Sequence, residues 1–473
     1  MPDLAPTKRS TTWTLIVASL AVFMVTLDNL VVTTALPTIK ADLGASMEAL
    51  EWTVNAYTLS FAVFLLTGAA LGDRWGRRRV FAAGLTTFTL ASLAAALAPS
   101  TEALVAARAL QGLGAAVVAP LSLTLLAEAF PADRRGLALG VWAGVNGLGV
   151  AIGPLVGGAV VEGLSWQWIF GINVPLGLVL VPLALNRLSE SFGPDKTLDL
   201  PGAGLASAGL FALVHGLVRG QALGWTDELI VGSLATGVAL LVAFVLHERR
   251  TAEPMLPMGF FRSRAFAATN AAGLGMFFGM FGSIFLLSQF LQFAQGNSAL
   301  QAGLKMLTWT GAVMVVAPFA GALSARFGGR PFIATGLTLQ AGALAWMAIL
   351  AAPTTAYAAF VPAFVMAGAG MALVFAPASA TILGAVAPRF AGKASGASNA
   401  IRELGGVLGV SVLASVFAHT GSYASPQAFA DGLVPALWIG VAVLGIGALI
   451  ALAIPAQAPQ EAPASLDVAP ATV

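Results

Sequence analysis

The sequence predicts an all-α polytopic membrane protein: two related six-helix bundles with two further helices inserted between them, fourteen transmembrane helices in all. Three observations carry that expectation. Hydrophobic residues make up 58% of the chain and charged residues 9%, where an average soluble protein is about 25% charged. An excess of that size has no water-shielded core large enough to hold it, so the bilayer is the solvent. Fourteen apolar stretches each approach the roughly 20 residues that a spanning helix needs. Finally, LTGAALGDRWGRRRVFAAGL at 66–85 returns as PFAGALSARFGGRPFIATGL at 318–337, an offset of 252 residues. Leu71/Leu323, Arg74/Arg326, Gly76/Gly328, Arg78/Arg330, Gly84/Gly336 and Leu85/Leu337 coincide. Duplicated bundles are how many secondary transporters build a central site that can face either side.

The stretches run 12–36, 50–71, 79–98, 102–126, 139–161, 166–186, 200–219, 229–247, 265–293, 302–323, 331–351, 355–378, 395–418 and 432–454. Their length and unbroken hydrophobicity make them helices, since a barrel strand is about 10 residues of alternating pattern. The first follows Lys8-Arg9 as a secretion signal would. It is too long for one and many spans follow it, so it reads as an uncleaved first span. At the 252-residue offset span 1 maps onto span 9, and spans 7 and 8 stand outside the repeat. The implied domains are a tail (1–11), an N-terminal bundle (12–186), a linker with the two extra helices (187–264), a C-terminal bundle (265–454) and a second tail (455–473). Both tails read as disordered and cytoplasmic. The chain has no cysteine, which excludes structural disulfides and thiolate metal sites.

Charge placement gives the threading. With the N-terminus inside, 18 of the 23 Lys and Arg fall in cytoplasmic segments, among them Arg74, Arg77, Arg78, Arg79, Arg134, Arg135, Arg249, Arg250, Arg262 and Arg264. Lys40, Arg219 and Lys305 lie outside, and only Arg108 and Arg402 lie within spans. Such a split is what the positive-inside rule produces. It calls for an even number of spans and both termini in the cytoplasm of a multi-pass protein of the cell membrane.

Five groups of residues carry candidate chemistry. GDRWGRRR at 72–79 places Asp73 before a run of arginines, Arg74, Arg77 and Arg78, with Gly72 and Gly76 for a tight turn. A topology anchor explains the arginines but not the acid. A conformational latch, in which Asp73 pairs with Arg134 or Arg135 of the next inner loop, explains both. In span 4, Arg108 lies roughly 9 Å from the outer end at 1.5 Å per residue, and Asp28 in span 1 lies roughly 12 Å deep on the same arithmetic. A charge within a span costs about 2.5–3.5 kcal/mol on insertion scales, so the two are each other's most economical partner. They form either a static pair that fixes packing or the site of proton coupling. In span 5, Gly149, Gly153 and Gly157 recur every four residues and permit close helix contact, with Pro154 bending the helix and Gly158 following. In span 9, Phe277 and Phe281 are candidates for a pliable apolar cavity with Gln289 and Gln292 as polar contacts, and Asn55 of span 2 joins them. Arg402 and Glu403 in span 13 are a second candidate polar site; being adjacent, they cannot share a helical face.

Together these strings resemble the major facilitator superfamily, and within it the fourteen-span drug:proton antiporter family, over essentially the whole chain from LDNLVVTTALP at 27–37 onward. The family's inner-loop motif falls on Leu71, Asp73, Arg74, Gly76, Arg77 and Arg78, with Ala69 where the family has glycine. Its span 4 motif falls on Arg108, Gln111 and Gly112, and its antiport motif on Gly149, Gly153, Pro154, Gly157 and Gly158. SWQWIFGINVPLG at 165–177 is also similar to the family. In the span 1 motif Asp28 and Pro37 are kept, while the usual Thr-Ile-Val-Asn-Val is replaced by Leu-Val-Val-Thr-Thr.

The resemblance implies proton-coupled export of apolar or amphipathic drugs or antibiotics, often cationic, by alternating access. Protons, a drug-like small molecule and the lipid bilayer are the expected partners, with no nucleic acid, no cofactor beyond the proton gradient, no metal, and the monomer as the working unit. An uptake symporter or nutrient facilitator on the same fold is the alternative, disfavoured by the span 5 motif. A membrane enzyme or receptor is more distant, with three dispersed histidines and no GxxxxGK[ST] loop.

Overall fold

A computed structural model describes residues 8–192, 199–252, 254–386 and 390–456; the side chains of a few of these, Arg134 and Arg135 among them, lie outside the description, as do Lys196, Arg389 and most of the two tails. The described residues contain helices and no strand. The helices are α1 (Lys8–Leu43), α2 (Met47–Trp75), α3 (Arg77–Ala96), α4 (Thr101–Ala129), α5 (Ala132–Gly163), α6 (Trp168–Gly171), α7 (Asn173–Arg187), α8 (Leu200–Leu223), α9 (Glu228–Arg250), α10 (Arg264–Gln289), α11 (Ala299–Phe327), α12 (Gly329–Leu350), α13 (Tyr357–Gly384), α14 (Ala391–Thr420) and α15 (Pro426–Ala451). Twelve helices among the described residues are long and apolar enough to cross a membrane, thirteen if bent α2 counts as one span, and α5 adds a shorter apolar stretch, Ile152–Gly163.

Polar caps set many of the starts. Ser46, Ser100, Ser263 and Ser425 each accept a hydrogen bond from a backbone N–H in the first turn, and Ser298 with Gln301 forms a reciprocal capping box before α11. The stretch 166–186, expected as one helix, is divided into α6 and α7 around Ile172. Pro175 explains the break: it lacks the N–H that would return to the carbonyl of Gly171. The stretch 265–293 ends in a π-helical turn, Phe290–Ala294.

The repeat seen in the sequence is also a repeat of packing. α1 packs on α5 as α10 packs on α14; α2 on α4 as α11 on α13; α3 on α4 as α12 on α13. Gly76 and Gly328 occupy equivalent turns with φ of 101° and 81°, a backbone that glycine adopts without strain. A Cβ at Gly112 would run into the Tyr57 carbonyl, and one at Gly368 into that of Trp309, the residue 252 positions on from Tyr57. The two halves meet along two equivalent seams, α5 with α11 and α2 with α14.

Helices α8 and α9 pair with each other outside the repeat. α8 lies across the α2/α14 seam, where Leu59, Val63, Val214, Val218 and Val407 bury one another. Arg219 of α8 is 3.0 Å from Glu48 of α2. At the opposite end of the pair, Asp199 caps α8 through Gly202 N and accepts a hydrogen bond from His247 of α9 at 2.7 Å.

Candidate functional site

The end of the molecule that carries the basic hairpins is called inner here. Contacts between the halves concentrate toward the other, outer end. Ser288 of α10 donates to the Thr33 carbonyl of α1 at 3.0 Å, and Gln292 donates to that of Thr34 at 3.0 Å. Asn55 Nδ2 donates to Ser411 Oγ across the α2/α14 seam at 2.8 Å. On the other seam a Cβ at Gly158 of α5 would stand 2.7 Å from Leu300 Cα of α11. A Cβ at Gly303 of α11 would likewise stand 3.0 Å from Leu155 Cα of α5. Further in, Gly144 and Gly147 lie on the same face of α5 as Gly158, three and four turns away, and a Cβ there would meet nothing within 4 Å; the same holds at Gly311 of α11. The seam is shut at the outer end and apart at the inner end.

Asp28 and Arg108 meet below this seal, in the interior of the N-terminal half, at 1% and 0% exposure. α1 supplies Asp28, and α4 supplies Arg108 and, one turn on, Gln111. Arg108 forms an ion pair with Asp28 Oδ2 and donates to Gln111 Oε1 at 2.9 Å. Asp28 Oδ1 accepts from Gln111 Nε2 at 3.1 Å and from Asn173 Nδ2 of α7 at 2.7 Å. Arg108 Nε donates to the Thr53 carbonyl of α2 at 3.1 Å, and its guanidinium carbon lies 4.2 Å from the Tyr57 ring centre. Ser92 of α3 accepts from Gln111 at 2.7 Å. One Arg108 nitrogen, NH2, is buried with no partner. Five helices thus hold a single ion pair, which fits the rule that buried charges are paired and hydrogen-bonded. Sequence reasoning missed Asn173, Thr53, Ser92 and Tyr57 as members, although Asn173 stands in the string GINVPLG that resembles the family.

Among the described residues the second half carries no such centre at the equivalent positions. The positions equivalent to Asp28 and Tyr57 at the 252-residue offset are Met280 and Trp309, and Phe364 stands on α13 where Arg108 stands on α4. Trp309 and Phe364 pack with ring centres 6.2 Å apart.

The glycines of α5 divide between two neighbours. Gly149, Gly153 and Gly157 lie against Phe23, Leu30 and Val31 of α1, while Gly158 lies against α11, and the Pro154 carbonyl faces Gly303 there. The glycine stripe therefore ties the helix that bears Asp28 to the helix that forms the seam.

In the hairpin, Asp73 accepts from Arg77 Nε at 2.8 Å, and Arg77 also pairs with Glu128 of α4. Arg78 N donates to Glu190 Oε1 at 2.9 Å, Gly76 lies against the Glu190 carboxylate, and Arg74 is exposed. The described partner of Asp73 is thus Arg77 within its own motif, whereas the partners expected from sequence, Arg134 and Arg135, have side chains outside the described residues.

Of the expected cavity residues, Phe277 and Phe281 stack with centres 5.6 Å apart, and Phe277 lies 5.6 Å from Phe375. Gln289 and Gln292 are placed differently from the expectation. Both belong to the outer seal, Gln289 accepting from the Tyr423 hydroxyl and Gln292 bonded to α1. Their spacing along α10 carried them past the Phe277–Phe281 turn to the end where the halves touch. Arg402 is buried with its guanidinium 5.7 Å from the Phe375 ring, and Glu403 on the next face keeps one carboxylate oxygen without a partner. Glu51 of α2, which sequence reasoning did not single out, is 3% exposed with Oε2 unpartnered.

A duplicated helical bundle with a fully buried ion pair, closed outside and parted inside, has the architecture of a multi-pass membrane transporter. The model of the Major Facilitator Superfamily matches residues 18–410 and 269–469, and the chain belongs to that superfamily. It is 35% identical to the tetracenomycin C resistance and export protein of Streptomyces glaucescens, over 89% of this chain and 79% of that one. It is 36% identical to the multidrug resistance protein Stp of Mycobacterium tuberculosis, over 86% and 75%. With the cephamycin export protein CmcT of Amycolatopsis lactamdurans the identity is 38%, over 98% and 96%.

Proposed function

We propose that this chain exports drug-like or antibiotic molecules, apolar or amphipathic and often cationic, from the cytoplasm in exchange for protons. The relatives named above as resistance and export proteins support the substrate class. In this reading fourteen helices span the cell membrane with both termini in the cytoplasm, the two six-helix halves are 12–186 and 265–454, and the monomer is the working unit.

The observation that carries the coupling is the Asp28–Arg108 pair, sealed from the outer side and held by α1, α2, α3, α4 and α7. Protonation of Asp28 removes the charge that holds Arg108 and turns an acceptor into a donor. The hydrogen bonds from Gln111 and Asn173 must then rearrange, and α1 moves against α4. α1 rests on Gly149, Gly153 and Gly157 of α5, and α5 rests on α11, so the displacement reaches the seam. Asp73 and Arg77, joined to Glu128, make the inner hairpin a firm plate that closes the inner end in the opposite state. One proton crossing gains about 2.3 kcal/mol per 100 mV and about 1.4 kcal/mol per pH unit. For a neutral cargo that sustains a gradient of a few hundredfold at ordinary potentials; for a singly charged cation the exchange moves no net charge and only the pH part, about tenfold per unit, remains.

The test is uphill export by the purified protein in liposomes with an imposed proton gradient. Export should collapse with an uncoupler. Accumulation in the direction of proton flow would instead mean symport, and gradient-independent equilibration would mean a facilitator.

A further inference from the structure

The face of α2 opposite Thr53 and Tyr57 carries Glu51, Asn55, Leu59 and Val63 at helical spacing and looks across the seam toward α14. Its two polar members share a property that the coupling scheme leaves unused. Asn55 is fully buried, and its amide is fixed by donation to Ser411, which leaves Oδ1 with no donor. One turn outward, Glu51 is 3% exposed and Oε2 has no donor either. The nearby cations are otherwise engaged. Arg219 lies 3.0 Å from Glu48, and the Lys40 ammonium sits 2.8 Å above the centre of the Tyr423 ring. Tyr423 closes the site from the loop before α15, its hydroxyl bonded to Gln289. Its phenol is held above the usual value, first by burial and then by the Glu51 carboxylate.

Two buried acceptors on one face, one of them a carboxyl, lack two donors and a positive charge. Leaving such groups unpaired costs more than an apolar replacement would. They lie where the halves must part for cargo to leave, so opening the outer seam uncovers them to the central cavity. We propose that Glu51 and Asn55 form an exit-side subsite that receives the protonated amine of a cargo as the outer seam opens. A primary or secondary ammonium supplies the N–H donors and the charge together; a neutral amide supplies neither in full. The subsite rests on the export reading, and would give preference for amine-bearing cargo without any direct tie to Asp28.

The probes are dansylcadaverine, with a free primary amine, and its N-acetyl derivative, which keeps the size and the apolar ring system. Binding to the full chain in lipid nanodiscs is followed by fluorescence anisotropy, and export is measured in liposomes. The wild type should bind the amine about tenfold more tightly than the acetylated probe, the span of a charge-assisted hydrogen bond. Glu51→Gln should bring the ratio to within about twofold by weakening the amine alone, and Asn55→Ala should lower it in part. Equal affinities in the wild type, or loss of both probes alike in Glu51→Gln, would overturn the subsite and leave Glu51 a part of the seal. A change with external pH that is the same for both probes would make it a proton port instead. Where Glu51→Gln does not fold, Asn55→Ala and the wild-type ratio decide. Amine-selective binding without uphill export would keep the subsite and refute the export reading; uphill export without amine preference would do the reverse.

Discussion

Replacing Asp28 by Asn keeps the shape of the side chain and removes its charge, which puts the coupling role of the pair under direct test. In the folded protein Asp28 accepts from Arg108, Gln111 and Asn173, and Arg108 already has one nitrogen without a partner. An Asn oriented to accept from Gln111 and Asn173 turns its NH2 toward the guanidinium, donor against donor. A buried cation left uncompensated in this way costs about 3–5 kcal/mol, so the single variant should be poorly stable whichever role the pair plays. Asp28→Asn combined with Arg108→Gln removes both charges and should recover most of that loss, because exchanging a buried pair for neutral groups is close to neutral. Stability is read from thermal unfolding in detergent, and transport per folded molecule from liposomes with an imposed pH gradient. Coupling through Asp28 predicts a stable double variant that equilibrates cargo but cannot concentrate it. A static pair predicts a double variant that concentrates cargo as well as the wild type does. That second result would refute the coupling argument and make Glu403, with its unpartnered oxygen, the next acid to replace.

Other outcomes follow from the same geometry. Gly303→Leu places a side chain against backbone, 3.0 Å from Leu155 Cα, and overpacking of about 1–3 kcal/mol should bias the balance roughly five- to hundredfold toward the outward-open state; spin labels on the outer ends of α5 and α11 should move apart, and unchanged distances would refute the seal. Asp73→Asn removes the carboxylate that holds Arg77 and should slow export severalfold while leaving the protein inserted; wild-type turnover would return the hairpin to a topology anchor. Because the chain has no cysteine, single cysteines report threading without background, and those placed in 72–79 and 247–264 should react with an impermeant reagent only from the cytoplasmic side.

The sequence announced its bundles through hydrophobic length and its duplication through the hairpin, and both signals have simple causes. A bilayer fixes the length of every span, and a tight turn between helices forces glycine at Gly76 and Gly328 alike. The Asp28–Arg108 contact was legible because two opposite charges at similar depth in an apolar medium have few other choices. Its surroundings were not. Asn173 reaches the carboxylate from the first residue of α7, just past the break at Ile172, and Thr53 takes part through its carbonyl, which no residue type reveals. Gln289 and Gln292 look like cavity residues on a helical wheel, yet the state of the seam decides whether they face open space; here Gln292 bonds across it to α1 and Gln289 is held by Tyr423 of its own half. Glu51 gave no signal of its own: an acid near the start of a helix is an ordinary sight until its burial and empty acceptor are known.

On the proposed exchange, the unequal halves of the repeat let cargo and proton be handled apart. The first half holds Asp28, Arg108 and Tyr57 where the second holds Met280, Phe364 and Trp309. The Asp28–Arg108 pair therefore sits inside one bundle and is not shared across the seam. On the coupling proposed above, its titration would repack α1 against α4, and only the motion would be handed on through the glycine face of α5. The other bundle offers Phe277, Phe281 and Phe375, groups that accept many apolar shapes through dispersion and impose little directional demand. If cargo met Asp28 directly, each new molecule would have to satisfy the same buried charge in order to be exported. On that proposal, with the coupling pair inside one bundle and the aromatic surface on the other, dissimilar molecules can share a single coupling centre.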